Sequence, residues 1–138
     1  MQREELVRRL NEDLQLELRS VVQYVHHIST IKGPEYQQTL VELSKHVHQE
    51  LDHALALAAQ IDFLGGEPST RVPEVEPQDE PNLALTQDLA LEEAQLDRYR
   101  DRVDEARKLD LPDVALALAP LLKQTQDHVM ELRTALGR

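Results

Sequence analysis

The chain has 138 residues, a formal charge of -11, no cysteine and few aromatic residues. That length suits one domain with a single core, and the negative charge opposes contact with nucleic-acid phosphates. Without cysteine there is no disulfide, thiolate metal site or thiol nucleophile, so any metal must be held by oxygen and nitrogen.

Leucine, alanine, glutamate, glutamine, arginine and aspartate dominate, and glycine is scarce, a composition that favours helix over strand. The expected fold class is all-α, a single domain over 1–138. No run of about 18 apolar residues is present to span a bilayer, and the opening M-Q-R-E-E-L-V-R-R lacks an apolar signal core. A cytoplasmic protein with no membrane partner is expected.

The first helix is expected over 3–31, because Leu6, Leu10, Glu17, Val21, Tyr24, Ile28 and Ile31 follow steps of three and four, with Asp13 filling the gap. Gly33-Pro34 ends it. The second helix is expected over 34–64, with Pro34 in its first turn and the seam Tyr36, Leu40, Leu43, Val47, Glu50, Ala54, Leu57, Ile61, Leu64. So short a link permits only an antiparallel hairpin. From 65 to 81 the sequence G-G-E-P-S-T-R-V-P-E-V-E-P-Q-D-E-P carries four prolines, which forbid helix and favour extended chain. At roughly 3.1 Å per residue this strap reaches about 50 Å, more than the roughly 38 Å of a 25-residue helix. It is long enough to cross a bundle end to end.

The third helix is expected over 81–109, with the seam Leu85, Leu89, Glu92, Leu96, Tyr99, Val103, Ala106. The fourth is expected over 111–136, capped by Asp110, with the seam Val114, Leu118, Leu121, Thr125, His128, Leu132, Ala135. Pro120 removes one backbone hydrogen bond from this helix and is expected to kink it. The alternating charges from Asp97 to Arg107 read as a solvated face with pairs one turn apart.

Chemistry enters through polar residues at the middle of each apolar seam: Glu17, Glu50, Glu92, and Thr125 with His128. Glu50 and His53 form Glu-x-x-His, a spacing that puts carboxylate and imidazole on one helix face. Glu17 precedes Glu50 by 33 residues, and Thr125 follows Glu92 by 33, so the second half repeats the first with one carboxylate missing. Unpaired carboxylates in a core cost several kcal/mol or take up protons, so three glutamates and two histidines at one level call for a compensating cation. Oxygen and imidazole donors suit iron, manganese or zinc. The alternative is that these side chains tilt to the bundle edge and are solvated.

Tyr24 and Tyr99 each follow a seam glutamate by seven residues, and either bond a ligand carboxylate or serve as core tyrosines satisfied elsewhere. His46 shares the face of Glu50 and offers an accessory or entry site, although a solvated helix histidine is the simpler reading. His26, His27, His48 and Asp52 read as surface or ordinary packing residues.

These residues resemble the ferritin-like superfamily, and bacterioferritin in particular. The stretches Leu10 to Tyr24, His48 to Ala54, F-L-G-G-E-P and Asp88 to Glu92 are similar to the corresponding parts of that family, and the resemblance spans nearly the whole chain. It implies an antiparallel four-helix bundle with a long crossover, and a di-iron ferroxidase centre that oxidises iron(II) with dioxygen or peroxide. Glu17 and His53 would terminate one metal, Glu92 and His128 the other, and Glu50 would bridge. Thr125 stands where the family carries a second bridging glutamate, so the second metal is expected to bind more weakly; water, Asp127 or Glu131 are the candidate substitutes. Leu51 stands where haem-binding members carry methionine, so no haem of that kind is expected.

The chain ends soon after the fourth helix, without the short extra helix of the family's cages. A homodimer or a small homo-oligomer is therefore expected as readily as a shell. The lack of cysteine pairs excludes full-length rubrerythrin. The rival readings are a ferritin-like bundle that has lost catalysis and serves as an assembly or binding module, and a manganese catalase-like protein.

Overall fold

A computed structural model of the protein describes residues 1–138. Four helices account for most of it: α1, Arg3–Thr30; α2, Gln37–Phe63; α3, Pro81–Lys108; and α4, Pro112–Ala135. There are no strands. Each helix ends within one to three residues of its sequence-based boundary. The start of α2 differs most, because Pro34–Tyr36 forms a separate 3₁₀ turn and α-helix begins only at Gln37.

The caps show what stops and starts each helix. Before α3, the Glu80 carboxylate accepts hydrogen bonds from the backbone N–H groups of Asn82 and Leu83, and Pro81 occupies the first turn, where its missing N–H costs nothing. Asp110 does not cap α4, contrary to expectation. It has φ 60° and ends α3, while Leu111 precedes α4 with no side-chain cap. The Leu111 N–H reaches back to the Ala106 carbonyl and the Asp110 N–H to Arg107, a left-handed terminator that aspartate tolerates better than most residues. Gly65 ends α2 in the same way at φ 87°, and a Cβ on Gly66 would stand 2.4 Å from Val7 Cγ1. That close approach is how the end of α2 docks on the start of α1. Helix α4 continues through Pro120, which lies on its exposed face, and Thr125 and His128 remain turned inward.

Helix α1 packs on α2 and α3 packs on α4, with α1 also against α3 and α2 against α4. Cross-helix contacts fix the directions. Asp13 meets Arg102, Glu17 meets Gln95, and Tyr24 meets Glu92, so α1 and α3 are antiparallel. His46 meets Glu131 and His53 meets Gln124, so α2 and α4 are antiparallel as well. Helices α2 and α3 must then run the same way, and the chain between them has to return along the bundle. It does: Asn11 and Gln15 hold the strap at Glu67 and Ser69, and Gln87 holds it at Glu76.

The core is split. One apolar cluster includes Leu6, Leu10, Leu57, Ile61, Tyr99, Val103 and Leu118; the other includes Tyr24, Leu43, Leu85, Leu89, Val129 and Leu132. Each fully buried leucine contributes roughly 1.5–3 kcal/mol. Between the clusters lies a buried polar layer of Glu17, Ser20, Glu50, His53, Glu92, Gln95, Thr125 and His128.

Candidate metal centre

All five candidate ligands, Glu17, Glu50, His53, Glu92 and His128, are buried. They form two groups that share Glu50: Glu17, Glu50 and His53, and Glu50, Glu92 and His128, in each of which one donor atom per residue lies within 4.8 Å of the others. His53 Nδ1 stands 3.6 Å from Glu17 Oε1 and 3.7 Å from Glu50 Oε2. His128 Nδ1 stands 2.8 Å from Glu50 Oε1 and 3.4 Å from Glu92 Oε1. The Glu-x-x-His spacing of α2 supplies the shared carboxylate and one imidazole, and the other three donors come one from each remaining helix, Glu17 from α1, Glu92 from α3 and His128 from α4.

The donors are left open in a way that fits cations. Glu17 Oε2, Glu50 Oε2, Glu92 Oε2 and His53 Nδ1 are buried without a hydrogen-bond partner. Four such atoms at one level of a core are costly unless an ion meets them. Burial, and then the neighbouring Glu50 carboxylate, push the Glu17 carboxyl well above the usual range; burial and then Glu92 push Glu50 up. Burial also acts to raise Glu92, but its bonds to His128 and Glu50 outweigh it and hold Glu92 low. Burial alone would lower the His53 imidazole, yet Glu17 and Glu50 hold it well up. Without metal, protons take the place of positive charge.

A ring of partners orients these groups. Tyr24 donates to Glu92 Oε1 at 2.9 Å, Tyr99 donates to Glu17, and Gln95 Nε2 donates to Glu17 Oε1 at 2.8 Å. Each tyrosine thus serves the glutamate of the opposite helix rather than the one seven residues before it. Burial, and then the adjacent carboxylates, push both phenols well above their usual range, so they act as donors. The outer ring nitrogens of the histidines are matched as a pair: His53 Nε2 lies 2.7 Å from Gln124 Oε1 and His128 Nε2 lies 2.5 Å from Gln49 Oε1. A glutamine carbonyl there accepts Nε2–H and turns Nδ1 inward as the donor.

Sequence reasoning missed Gln49, Gln95 and Gln124. The only signal was their place one residue or one turn from a ligand. It also did not foresee two buried charge clusters. Asp88 binds His27 Nδ1 at 2.8 Å and Gln23 at 2.8 Å, all three buried, so His27 is no surface residue. Arg102, 4% exposed, donates to Asp13 at 2.9 Å, and Arg98 joins it at 2.5 Å. The charged run of α3 is therefore not a wholly solvated face: α1 lies against it and brings a buried acid to meet it.

Two further expectations change. His46 is not solvated; it is buried, its ring stacked on His128 with centroids 4.0 Å apart. The Thr125 hydroxyl donates to the Leu121 carbonyl at 2.7 Å, inside its own helix. Neither proposed substitute reaches it, since Asp127 pairs with Lys123 and Glu131 with His46.

A family model described as Ferritin-like domain matches residues 7–138. The chain belongs to the ferritin-like domain family. Among solved structures, the ferritin-like, diiron-carboxylate proteins of Bacillus anthracis str. Ames are 28% identical, with 99% of each chain covered and a TM-score of 0.93. Rhodobacter capsulatus bacterioferritin, described with a metal-free dinuclear site and haem iron, is 24% identical over 97% of this chain and 84% of that one, with a TM-score of 0.87. BfrA from M. tuberculosis is 23% identical over 94% and 81% of the two chains, with a TM-score of 0.85. No curated protein matches. The ferritin-like bundle thus carries, at its middle, two candidate metal-ligand groups joined through one glutamate.

Proposed function

We propose that this ferritin-like protein handles iron through a two-metal centre in which Glu17 and His53 terminate one site, Glu92 and His128 the other, and Glu50 bridges. The observation that carries this reading is the set of four orphaned donor atoms on two ligand groups sharing Glu50. The 28% identical diiron-carboxylate proteins add support. Iron(II) is the substrate and dioxygen or peroxide the oxidant; bound iron supplies the redox chemistry.

The chain's own residues set the conditions for it. Three buried carboxylates present three negative charges to two divalent ions, and the apolar clusters above and below keep bulk water from the layer. Tyr24, Tyr99 and Gln95 hold Oε1 of the terminal carboxylates and leave Oε2 of each without a partner. Gln49 and Gln124 hold the histidines with Nδ1 inward. A metal held there would displace the protons that the raised Glu50 and His53 retain, because each ligand must present a lone pair. Manganese and zinc suit the same donors.

Titration with iron(II) under anaerobic conditions, followed by admission of air, tests the proposal. Two ions held by the buried ligand groups of each chain and a ferric absorption rising on aeration are expected; failure to bind iron or manganese at those groups defeats it.

A second reading rests on Thr125. Its hydroxyl is bonded within α4 and brings no charge, so the centre has three carboxylates where a doubly bridged one has four. On this reading the buried centre holds at most one ion per chain, turns nothing over and the bundle serves as an assembly module. The same titration separates the two by its stoichiometry.

A further inference from the structure

A third group of donor side chains stands outside the centre. Glu42 and His46 lie one turn apart on α2, Glu131 faces them from α4, and one donor atom from each lies within 4.8 Å of the others. They line a cavity of about 370 Å³ between the two helices, bordered by Leu43 and Leu132. The mouth is wet and the floor is dry: the Glu131 side chain is 43% exposed and that of Glu42 32%, whereas His46 is 1% exposed.

We propose that Glu42, His46 and Glu131 form a third cation site, open to solvent, for a divalent first-row transition metal. The imidazole is aimed for that task. Stacking on His128 and the 3.4 Å contact of Nδ1 with the Tyr24 hydroxyl fix the ring, leaving Nε2 directed at the carboxylates, 2.5 Å from Glu131 Oε2. A metal ion held by these donors would take the place of the direct His46–Glu131 contact.

A simple His46–Glu131 pair would account for two of the three groups but not for Glu42. That carboxylate has only the Gln38 amide at 3.3 Å and the exposed Lys45 ammonium at 4.0 Å. The cavity lining contains no lysine or arginine, so two carboxylates there face a basin with no positive charge of its own. Two oxygens and one imidazole nitrogen select a transition ion over calcium or magnesium, and the solvent side leaves room for water to complete the shell. None of these donors belongs to the buried centre, so the site stands whether or not that centre takes two ions.

Zinc tests the site without redox chemistry. In crystals of the full chain equilibrated with millimolar Zn²⁺, anomalous difference density is expected about 2.0–2.1 Å from His46 Nε2, with Glu42 and Glu131 oxygens beside it. The E42Q/E131Q double variant alters only half-buried and exposed side chains. It should lose that density and bind one zinc fewer per chain by equilibrium dialysis. Absence of density between the three residues in the wild-type protein would overturn the proposal, as would equal zinc counts in both proteins. Density at Glu17, Glu50 and Glu92 is scored separately in the same map, so loss of the buried centre and loss of this site are distinct results.

Discussion

In the proposed two-metal centre, Thr125 decides how evenly the two halves bind. His53 serves one half and His128 the other, but only Glu50 spans both, and the threonine hydroxyl points back to the Leu121 carbonyl. Replacing it with glutamate adds one negative charge and one bridging group at the same level. In T125E the weaker ion should bind at least about tenfold more tightly, the ratio given by roughly 1.4 kcal/mol. Anaerobic calorimetry with zinc measures it, and an unchanged second affinity would count against a two-ion centre. The glutamines make a second prediction at this scale. Gln124→Leu removes the acceptor of His53 Nε2–H while leaving every ligand in place. Metal affinity should fall by about 10–100-fold with little loss of helix content, the range typical of partners that orient a metal-bound histidine.

Among the elements, α1 and α3 are joined by charge as well as by apolar packing. Asp13 is buried against Arg102 and Arg98, and Arg102 also binds Glu105. Removing Arg102 leaves the buried Asp13 with the Arg98 guanidinium as its one remaining charged partner. Arg102→Met should therefore destabilise the protein by about 3–5 kcal/mol in urea unfolding, whereas D13L/R102M should recover most of that loss, because two apolar side chains replace the pair. If the double variant proves as unstable as R102M, Arg102 acts through its packing volume and not through the buried acid. The strap belongs to this scale too. Prolines keep it extended, and the hydrogen bonds at Asn11, Gln15 and Gln87 hold it along α1 and to α3.

For the molecule as a whole, the metal-free state stores its charge imbalance as bound protons. An acid whose folded pKa lies above its unfolded one binds more protons when folded, so stability falls as pH rises between the two values. Asp13 is raised from 3.8 to about 6, chiefly by burial, and Asp88, Glu17 and Glu50 are raised as well. Asp13 alone represents about 3 kcal/mol across its full window. His53, raised by its carboxylate neighbours against burial, contributes stability that is full below pH 6.5 and is lost as pH climbs above it. Glu92 is held low, and its contribution is lost only in acid below its ordinary 4.5. His46, lowered by burial and then by His128, runs the other way below pH 6.5, but between pH 5 and 8 the raised acids and His53 together outweigh it. The metal-free protein should melt several degrees lower at pH 8 than at pH 5, and saturating zinc should narrow the difference by replacing the protons of Glu17, Glu50 and His53, leaving the share of Asp13 and Asp88. A melting temperature that is flat or rising over that range in chelator would refute this account.

Much of the architecture is written in local pattern. The three-four spacing of Leu85, Leu89, Leu96 and Val103 sets a helix face, Gly65-Gly66 and the prolines to Pro81 set the strap, and the polar interruptions at Glu17, Glu50, Glu92 and His128 set one level of the bundle. Periodicity determines these because it depends only on residues a turn apart. What tertiary structure alone decided are the pairings between helices: Tyr24 with Glu92 rather than near Glu17, Gln49 and Gln124 with the opposite histidines, Asp13 with Arg102, His27 with Asp88, and His46 with His128. Each helix is buried by two neighbours at once, so its inner face is wider than one seam, and residues beside the seam that read as solvated are covered. Which charge meets which depends on axial register between helices far apart in the chain, a quantity no local spacing contains.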